Sequence, residues 1–569
     1  MNGRVEHIHI YKRSVTITAA TELRHGRGSG HLNKLTPNKQ TSTKQTFIQG
    51  TMILLAAGII NRILGFIPRI ALPRIIGAEG VGIYQLGYPF FLVLVTLITG
   101  GIPLAVAKLV SEAETENKPQ NSRFVLRVSL MLTVGLGILF MALSLWLAPW
   151  VTRSILTDSR VYYTFVSMSP MLVIVAVSSV YRGYFQGKQN MIPSAASSIM
   201  ETFARIVCTL WFSYLLLPKG IAFAAAGAML GVMAGEFVGL LALLWQFRRD
   251  QSRTARIEKG ARHEAASRGL FPRLMGITVP VTAGKLVGSF SYLFESIITA
   301  QSLAIAGIVT SVATAQYGAL QGMIIPVLLL PGALTSSLAV SLVPSLSEAA
   351  ARKDRLTIHK RLNQTIRLAL VTGAPFSVIM YVLAEPLCQL LYNNTDISGM
   401  LRMLAPFALF LYVQAPLQAT LQALDRPGRA LFNTLVGAII KLSLIWYLSS
   451  QPEYGIYGAI IAIIINSIIV TFLHGYSVSR MLAYRFKLLD MLKLLCAMLI
   501  MAAVTTYAFR HLPFHQSSWI QFFAALFIGT AGFLIVVFSA KLVSRRDMKR
   551  MPLIGKWFAS SPEPKNPAA

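Results

Sequence analysis

Long apolar blocks recur along the chain from Phe47 onward and are separated by short polar segments. A block of about 20 residues can cross the hydrocarbon core of a bilayer as a helix. Backbone groups in lipid must pair within the segment, so each block is predicted to be helical. The predicted spans are 47–73, 81–108, 124–147, 162–183, 190–217, 220–247, 273–299, 314–343, 363–391, 399–421, 428–449, 455–479, 489–509 and 519–542. The pattern predicts an all-α polytopic membrane protein with about fourteen transmembrane helices.

Lysine and arginine are unevenly divided between alternate loops. The loops after even-numbered spans carry about 22 of them and the loops after odd-numbered spans about 5, an asymmetry typical of cytoplasmic and external loops. The segment 248–273 alone carries eight. Positively charged loops stay in the cytoplasm. We therefore expect a multi-pass protein of the cell membrane with both termini cytoplasmic.

Weak internal matches share one spacing of 236 residues. They pair the SEA triplets at 111–113 and 347–349, Pro170 with Pro406, Gln186 with Gln422, and Arg205 with Lys441. The spacing covers an even number of predicted helices, so the two copies would run parallel. Parallel repeats related by an axis along the membrane normal are a transporter architecture. The repeat predicts two six-helix bundles in a bilobed transporter, followed by two extra C-terminal helices.

The predicted domain boundaries follow from these patterns. Residues 1–43 form a polar, basic tail that is expected to be disordered and is a candidate start-site artefact. An N-terminal six-helix lobe covers 44–247, a basic cytoplasmic linker 248–272, and a C-terminal six-helix lobe 273–480. Two additional transmembrane helices cover 481–543, and residues 544–569 form a cytoplasmic tail.

Composition narrows the functional classes. The chain has 569 residues, of which 54% are apolar and 13% charged, and a mean hydropathy of +0.59, which is typical of membrane proteins. Its net charge of +30 agrees with the excess of lysine and arginine in alternate loops. The basic stretches are not interleaved with aromatic residues, as they would be in a nucleic-acid site. Cysteine and histidine show no metal-ligand spacing, and the Walker, HExxH and GxSxG motifs are missing. We expect no enzyme activity, no cofactor, no metal and no nucleic-acid partner.

Charged residues deep inside predicted spans are the candidate functional residues. Each would cost about 2.5–3.5 kcal/mol or more if it faced lipid, so they are expected to face a protein interior or a water-filled cavity. The excess of cations suits an anionic ligand, since arginine binds phosphate in bidentate fashion and lysine acts as a point charge. The candidate substrate-binding residues are Arg62, Arg69, Glu201, Arg205, Lys285 and Lys441.

Three acidic residues have alternative interpretations. Glu201 and Arg205 are four residues apart on one helix, so they could also simply neutralise each other. Glu236 is a candidate ion-coupling residue or a buried partner for a cation. Glu295 lies near the outer boundary of its span and is predicted to be interfacial.

Three segments resemble a known family. KQTFIQGTMILLAAGIINRILGFIPRIALPRIIGAEGVGIYQL (44–86), SSVYRGYFQGKQNMIP (178–193) and GIAFAAAGAMLGVMAGE (220–236) are similar to the multidrug/oligosaccharidyl-lipid/polysaccharide exporter superfamily, in its polysaccharide and lipid II flippase branch. Arg62, Gly65 and Phe66 match a flippase pattern whose second arginine would fall at Pro68, whereas this chain has Arg69. The resemblance implies a V-shaped transporter that works by alternating access and supports peptidoglycan synthesis in the spore cortex.

The resulting hypothesis is a flippase for an undecaprenyl-linked, lipid II-like peptidoglycan precursor. Its expected partners are the lipid-linked glycan and membrane lipids, with peptidoglycan polymerases as candidates. One alternative is a drug–cation antiporter of the same superfamily, which would favour a more acidic or aromatic cavity. The other is a non-transporting scaffold for cortex-building enzymes, which would give no reason for deep charges.

Overall fold

The computed structural model describes residues 47–257, 269–484, 488–511 and 518–542. Within these ranges the chain forms helices and no strand, which confirms the predicted all-α class. The predicted tails at 1–43 and 544–569 and residues 258–268 of the predicted linker lie outside the described residues.

The N-terminal half, residues 47–257, contains eight α-helices with a π-helical segment at Val151–Ile155 and a short 3₁₀ segment at Leu217–Lys219. The helices are α1 (Phe47–Leu64), α2 (Phe66–Thr99), α3 (Ile102–Thr115), α4 (Pro119–Trp150), α5 (Val161–Met168), α6 (Met171–Gly187), α7 (Ile192–Leu216) and α8 (Ile221–Ile257).

The C-terminal half, residues 269–484, contains ten α-helices, and two more follow it in the described chain. The ten are α9 (Leu270–Ile305), α10 (Thr310–Gly318), α11 (Ile325–Leu329), α12 (Gly332–Ala351), α13 (Arg355–Val382), α14 (Ala384–Tyr392), α15 (Ser398–Leu404), α16 (Ala408–Ala423), α17 (Pro427–Ser449) and α18 (Ile456–Leu482). The last two are α19 (Leu488–His511) and α20 (Ser518–Ser539). A π-helical segment at Ala319–Ile324 joins α10 to α11.

Twelve helical segments of the described chain are long and apolar enough to cross a membrane, against fourteen predicted spans. Two differences account for the lower number. The segment Met52–Thr115 covers most of the first predicted span and all of the second, and Leu270–Ile305, which contains the seventh, is not among the twelve. The polytopic fold is confirmed, while the exact number of fourteen is not.

Glycines divide the long first segment. Gly77 has φ 68° and ψ 178°, a conformation that favours glycine, and it separates the first predicted span from the second. A second break, at Gly100 and Gly101, separates α2 from α3 inside the second span. Backbone groups at such a break need partners from neighbouring helices.

Apolar cores hold each half together. In the N-terminal half, buried side chains come mainly from α2 to α6 and α8, and the beginning of α9 joins them. In the C-terminal half they come from α9 to α18. Helices α19 and α20 pack on each other and on α13. The predicted six-helix repeats and domain boundaries stay predictions.

Candidate functional site

Two arginines and two glutamates form a charge cluster inside the N-terminal half, called the first charge cluster (Arg182, Glu201, Arg205, Glu236). Helix α7 contributes Glu201, which is 5% exposed, and Arg205, which lies one turn later. Glu201 accepts hydrogen bonds from Arg205 and, at 2.5 Å, from Arg182 of α6. Glu236 of α8 lies 3.7 Å from Arg205. The two charges of each sign balance within the cluster.

Glycines of α8 allow the close approach that forms this cluster. A β-carbon at Gly235 would lie 2.6 Å from the β-carbon of Arg205, and one at Gly239 would lie 3.0 Å from that of Glu201. Larger residues at these two positions would push α7 away from α8. The sequence GEFVG at 235–239 therefore brings Glu236 and the backbone of α8 against the charged face of α7.

A second ion pair joins α9 to α17 in the C-terminal half. The ammonium of Lys441 lies 2.5 Å from Glu295, and both side chains are largely buried, at 14% and 10% exposed. Gln321, in the π-helical segment, donates a hydrogen bond of 3.0 Å to the other oxygen of Glu295. Such π-helical turns are frequent at functional sites. Glu295 is thus a buried partner of Lys441, and its predicted position near the outer boundary of its span stays a prediction.

Lys285 lies at the helix break in the N-terminal half. Its ammonium, on α9, donates a hydrogen bond of 2.7 Å to the carbonyl of Gly100, the residue after the last turn of α2. The hydroxyl of Thr282 accepts a bond of 2.9 Å from the Gly101 amide. One face of α9 therefore supplies both a donor and an acceptor to the broken backbone, as polar groups of the membrane interior require. The Lys285 side chain is otherwise exposed.

The two candidate arginines near the start of the chain differ in their contacts. Arg62 lies about 22 Å along α1 at 1.5 Å per residue and is exposed. One of its guanidinium nitrogens lies 3.3 Å from the hydroxyl of Ser336 on α12, so it bridges the two halves of the chain. Arg69, on α2, is also exposed and has no hydrogen-bond or ion-pair partner among the described residues.

Aromatic hydroxyls lie near Arg69. Its charge acts on the hydroxyls of Tyr84 and Tyr88 of α2 and on that of Tyr292 of α9. The rings of Tyr84 and Tyr88 stack with their centroids 6.2 Å apart. The charge of Arg205 acts on the same two hydroxyls.

The predicted residues therefore separate into groups. Glu201, Arg205 and Glu236 come together, Lys441 lies in the second ion pair, and Lys285 lies at the helix break. Their role in substrate binding, and the coupling role of Glu236, stay predictions. Sequence reasoning missed Arg182 and Glu295 as charge partners and Gln321 as a hydrogen-bond donor, because each is on a different helical segment from the residue that it contacts. Among the described residues, no group of three His, Cys, Asp or Glu could hold a metal ion.

Comparison with known proteins extends the likeness over most of the chain. The sequence profile of the family described as "Polysaccharide biosynthesis protein" matches residues 47–350, and the profile described as MatE matches residues 288–447. Stage V sporulation protein B of Bacillus subtilis (strain 168) is 38% identical over 514 residues, which cover 90% of this chain and 99% of that protein.

Two further similar proteins are both named lipid II flippase MurJ. Lipid II flippase MurJ of Bacillus subtilis (strain 168) is 26% identical over 489 residues, covering 81% of this chain and 88% of that protein. A solved structure, the lipid II flippase MurJ in an inward closed conformation, matches with a TM-score of 0.64 and 16% identity. The match covers 87% of this chain and 100% of that one. At this identity the structural likeness concerns the fold.

Proposed function

Because the chain belongs to the polysaccharide biosynthesis protein family and is a relative of stage V sporulation protein B, we propose that it flips a lipid-linked glycan precursor across the membrane. The proposed substrate is an undecaprenyl-linked, lipid II-like peptidoglycan precursor, and the proposed process is synthesis of the spore cortex. The proposed orientation places both termini in the cytoplasm, and peptidoglycan polymerases are candidate partners.

The exposed cations in the predicted spans and at their edges carry this proposal. Arg62 lies deep in the first predicted span and is exposed, and its guanidinium reaches Ser336 of the other half. Arg69 and Lys285 are also exposed within predicted spans or at their edges. An arginine placed there can bind a diphosphate through its paired N–H groups, and a lysine adds positive potential. We propose that these residues hold the headgroup while the lipid tail stays in the bilayer.

The first charge cluster has a different proposed role. Glu201 pairs with both Arg182 and Arg205 at close range, so this cluster holds α6 and α7 together before any substrate binds. Arg205 is partly exposed, at 34% of its side chain, and lies at the longer distance of 3.7 Å from Glu236. We propose that Arg205 turns from Glu236 towards the headgroup. Lys441, which is paired with Glu295, supplies positive potential only when that pair opens.

A drug–cation antiporter receives less support from this geometry. Such a protein needs carboxylates that can meet a cationic substrate. The intramembrane carboxylates of Glu201, Glu236 and Glu295 each lie within 3.7 Å of a basic side chain. A cation would have to displace an arginine or a lysine from each.

A complementation experiment tests the proposed function. The chain is expressed in a Bacillus subtilis strain that lacks stage V sporulation protein B, next to that protein as a positive control. We expect restored cortex peptidoglycan and no build-up of lipid-linked precursor on the inner leaflet. If the precursor stays on the inner leaflet although the chain reaches the membrane in normal amounts, the proposed function is wrong.

A further inference from the structure

Besides the contacts of α9 with the N-terminal half, which include an ion pair of 2.8 Å from Arg273 to Glu112, the two halves of the chain touch closely at one end of the bundle. This end carries the loops after odd-numbered spans and is called the predicted outer end. A β-carbon at Gly82 of α2 would lie 1.9 Å from the carbonyl oxygen of Thr314 on α10. One at Gly318 would lie 2.2 Å from the carbonyl oxygen of Ala78. Only glycine at both positions lets α2 and α10 approach this far.

A buried carboxylate lies at this interface. Asp158, in the loop between α4 and α5, is 3% exposed. One of its oxygens accepts a hydrogen bond of 2.8 Å from the hydroxyl of Thr314 in the C-terminal half. Arg160 donates to Asp158 through its Nε, its NH2 and its backbone amide, at 2.8–3.0 Å. Arg160 also lies 2.5 Å from Glu79 of α2.

The charges of this network all belong to the N-terminal half. Burial raises the pKa of the Asp158 carboxyl, but the hydrogen bonds from Arg160 and Thr314 outweigh burial and hold the pKa below its usual range. When the halves separate, Asp158 keeps its three bonds to Arg160 and stays neutralised. Separation therefore breaks one hydrogen bond from a neutral hydroxyl and no ion pair in this network.

We propose that the hydrogen bond from Thr314 to Asp158 is the latch that holds the predicted outer end closed and opens in each transport cycle. The latch joins the two halves of the same chain: Thr314 of the C-terminal half donates to Asp158 of the N-terminal half. Arg160 and Glu79 position the Asp158 carboxylate. The proposal rests on the proposed transport function, since only a cycle between two conformations requires a releasable contact.

The strength of the bond suits a releasable contact. A hydrogen bond to a charged acceptor contributes more than one between neutral groups, and losing it costs less than losing one partner of a buried ion pair. Removing it should shift the ratio of open to closed molecules about tenfold towards open, which corresponds to about 1.4 kcal/mol. Other bonds at this end, from Arg74 to the carbonyls of Leu390 and Leu391 and from Gln301 to those of Ser154 and Ile155, keep part of the interface together.

The test measures distances at both ends of the purified protein in lipid nanodiscs. Spin labels are placed at the exposed positions Lys219 and Glu453 for the predicted outer end, and at Glu116 and Ala351 for the opposite end. The free cysteines are first replaced, at positions Cys208, Cys388 and Cys496. Pulsed electron paramagnetic resonance then gives the distance distribution of each pair.

The variants distinguish the effect of the Thr314 hydroxyl from the effect of the shape of its side chain. Thr314→Val keeps the shape and removes the donor, Thr314→Ser keeps the donor, and Thr310→Val changes an exposed threonine on the same helix. We expect Thr314→Val to add a longer distance at the predicted outer end and a shorter one at the opposite end. Thr314→Ser and Thr310→Val should match the unchanged protein.

Two results would overturn the latch. One is an unchanged outer distance in Thr314→Val. The other is broadening at both ends, because that would show loosened packing rather than a shift between two conformations. Failure of the proposed function gives a different result. Reciprocal distance changes without any lipid translocation would support the latch and contradict the proposed flippase function.

Discussion

Glu201 offers the sharpest test of the first charge cluster. Its carboxylate is 5% exposed and accepts hydrogen bonds from Arg182 and Arg205. Glu201→Gln keeps the size of the side chain and removes its charge. Two guanidinium groups would then face one amide, with Glu236 as the remaining carboxylate, at 3.7 Å from Arg205.

The expected loss is about 3 kcal/mol in the free energy of unfolding, near the lower end of the range for breaking a buried ion pair by removing one partner. It stays near the lower end because Arg182 and Arg205 are 30% and 34% exposed and can turn towards water. Glu236→Gln should cost less, since Glu236 lies farther from its arginine and is more exposed, at 16%.

The free energy is measured by unfolding in mixed micelles with increasing sodium dodecyl sulfate, followed by circular dichroism. Glu348→Gln is the matched control, because Glu348 pairs with Arg352 on the surface at 57% and 75% exposure. An exposed pair contributes about 0–1 kcal/mol. If Glu201→Gln costs no more than Glu348→Gln, the cluster does not hold α6 and α7 together. In that case the free energy of unfolding of the double variant Glu201→Gln with Arg205→Gln should also be no higher than that of Glu201→Gln alone.

Three more predictions concern other parts of the chain. Lys441→Ala should destabilise the protein more than the double variant Lys441→Ala with Glu295→Gln, because the single change strands a buried carboxylate; equal unfolding free energies in mixed micelles would contradict this. Cysteines placed in the 248–273 loop should be shielded from an impermeant thiol reagent in intact cells, whereas ready labelling would reverse the predicted orientation. Deleting residues 2–43 should leave membrane insertion and complementation intact, since Phe47 begins the first helix; a truncated protein that inserts but does not complement would show that the tail matters.

The sequence predicts contacts within one helix better than contacts between helices. The helical spacing of Glu201 and Arg205 made their pairing one of two open interpretations, and the structure shows the pair on one face of α7. Arg182 joins them from α6, and no spacing within one helix reveals that contact. Glu295 is close to the end of its predicted span, but α17 covers it, and hydropathy cannot show which helix covers a position.

One helix break is indicated by the sequence. The Gly-Gly pair at 100–101, followed by Pro103, lies inside the second predicted span and marks the break that Lys285 and Thr282 satisfy. The charge pattern predicts Lys285 as a candidate substrate-binding residue and does not predict this contact. The orphaned backbone at a glycine pair in a membrane helix would have indicated a nearby donor and acceptor. The contact of Asp158 with Thr314 had no such signal, because the two residues are 156 positions apart.

The most direct test of the account is headgroup translocation by the purified protein in liposomes. A lipid-linked precursor with a labelled headgroup is placed on one leaflet, and its appearance on the other is followed with an impermeant reagent. We compare the unchanged protein with Arg62→Ala, Arg62→Lys and a control at Arg127, an exposed arginine near the beginning of α4.

The account predicts translocation by the unchanged protein and by Arg127→Ala, partial activity in Arg62→Lys, and a rate slower by about tenfold or more in Arg62→Ala. Lysine keeps the charge but loses the paired donors that grip a phosphate. If Arg62→Ala moves the headgroup as fast as the unchanged protein at equal reconstitution, the headgroup does not cross by way of this arginine, and the central claim is wrong.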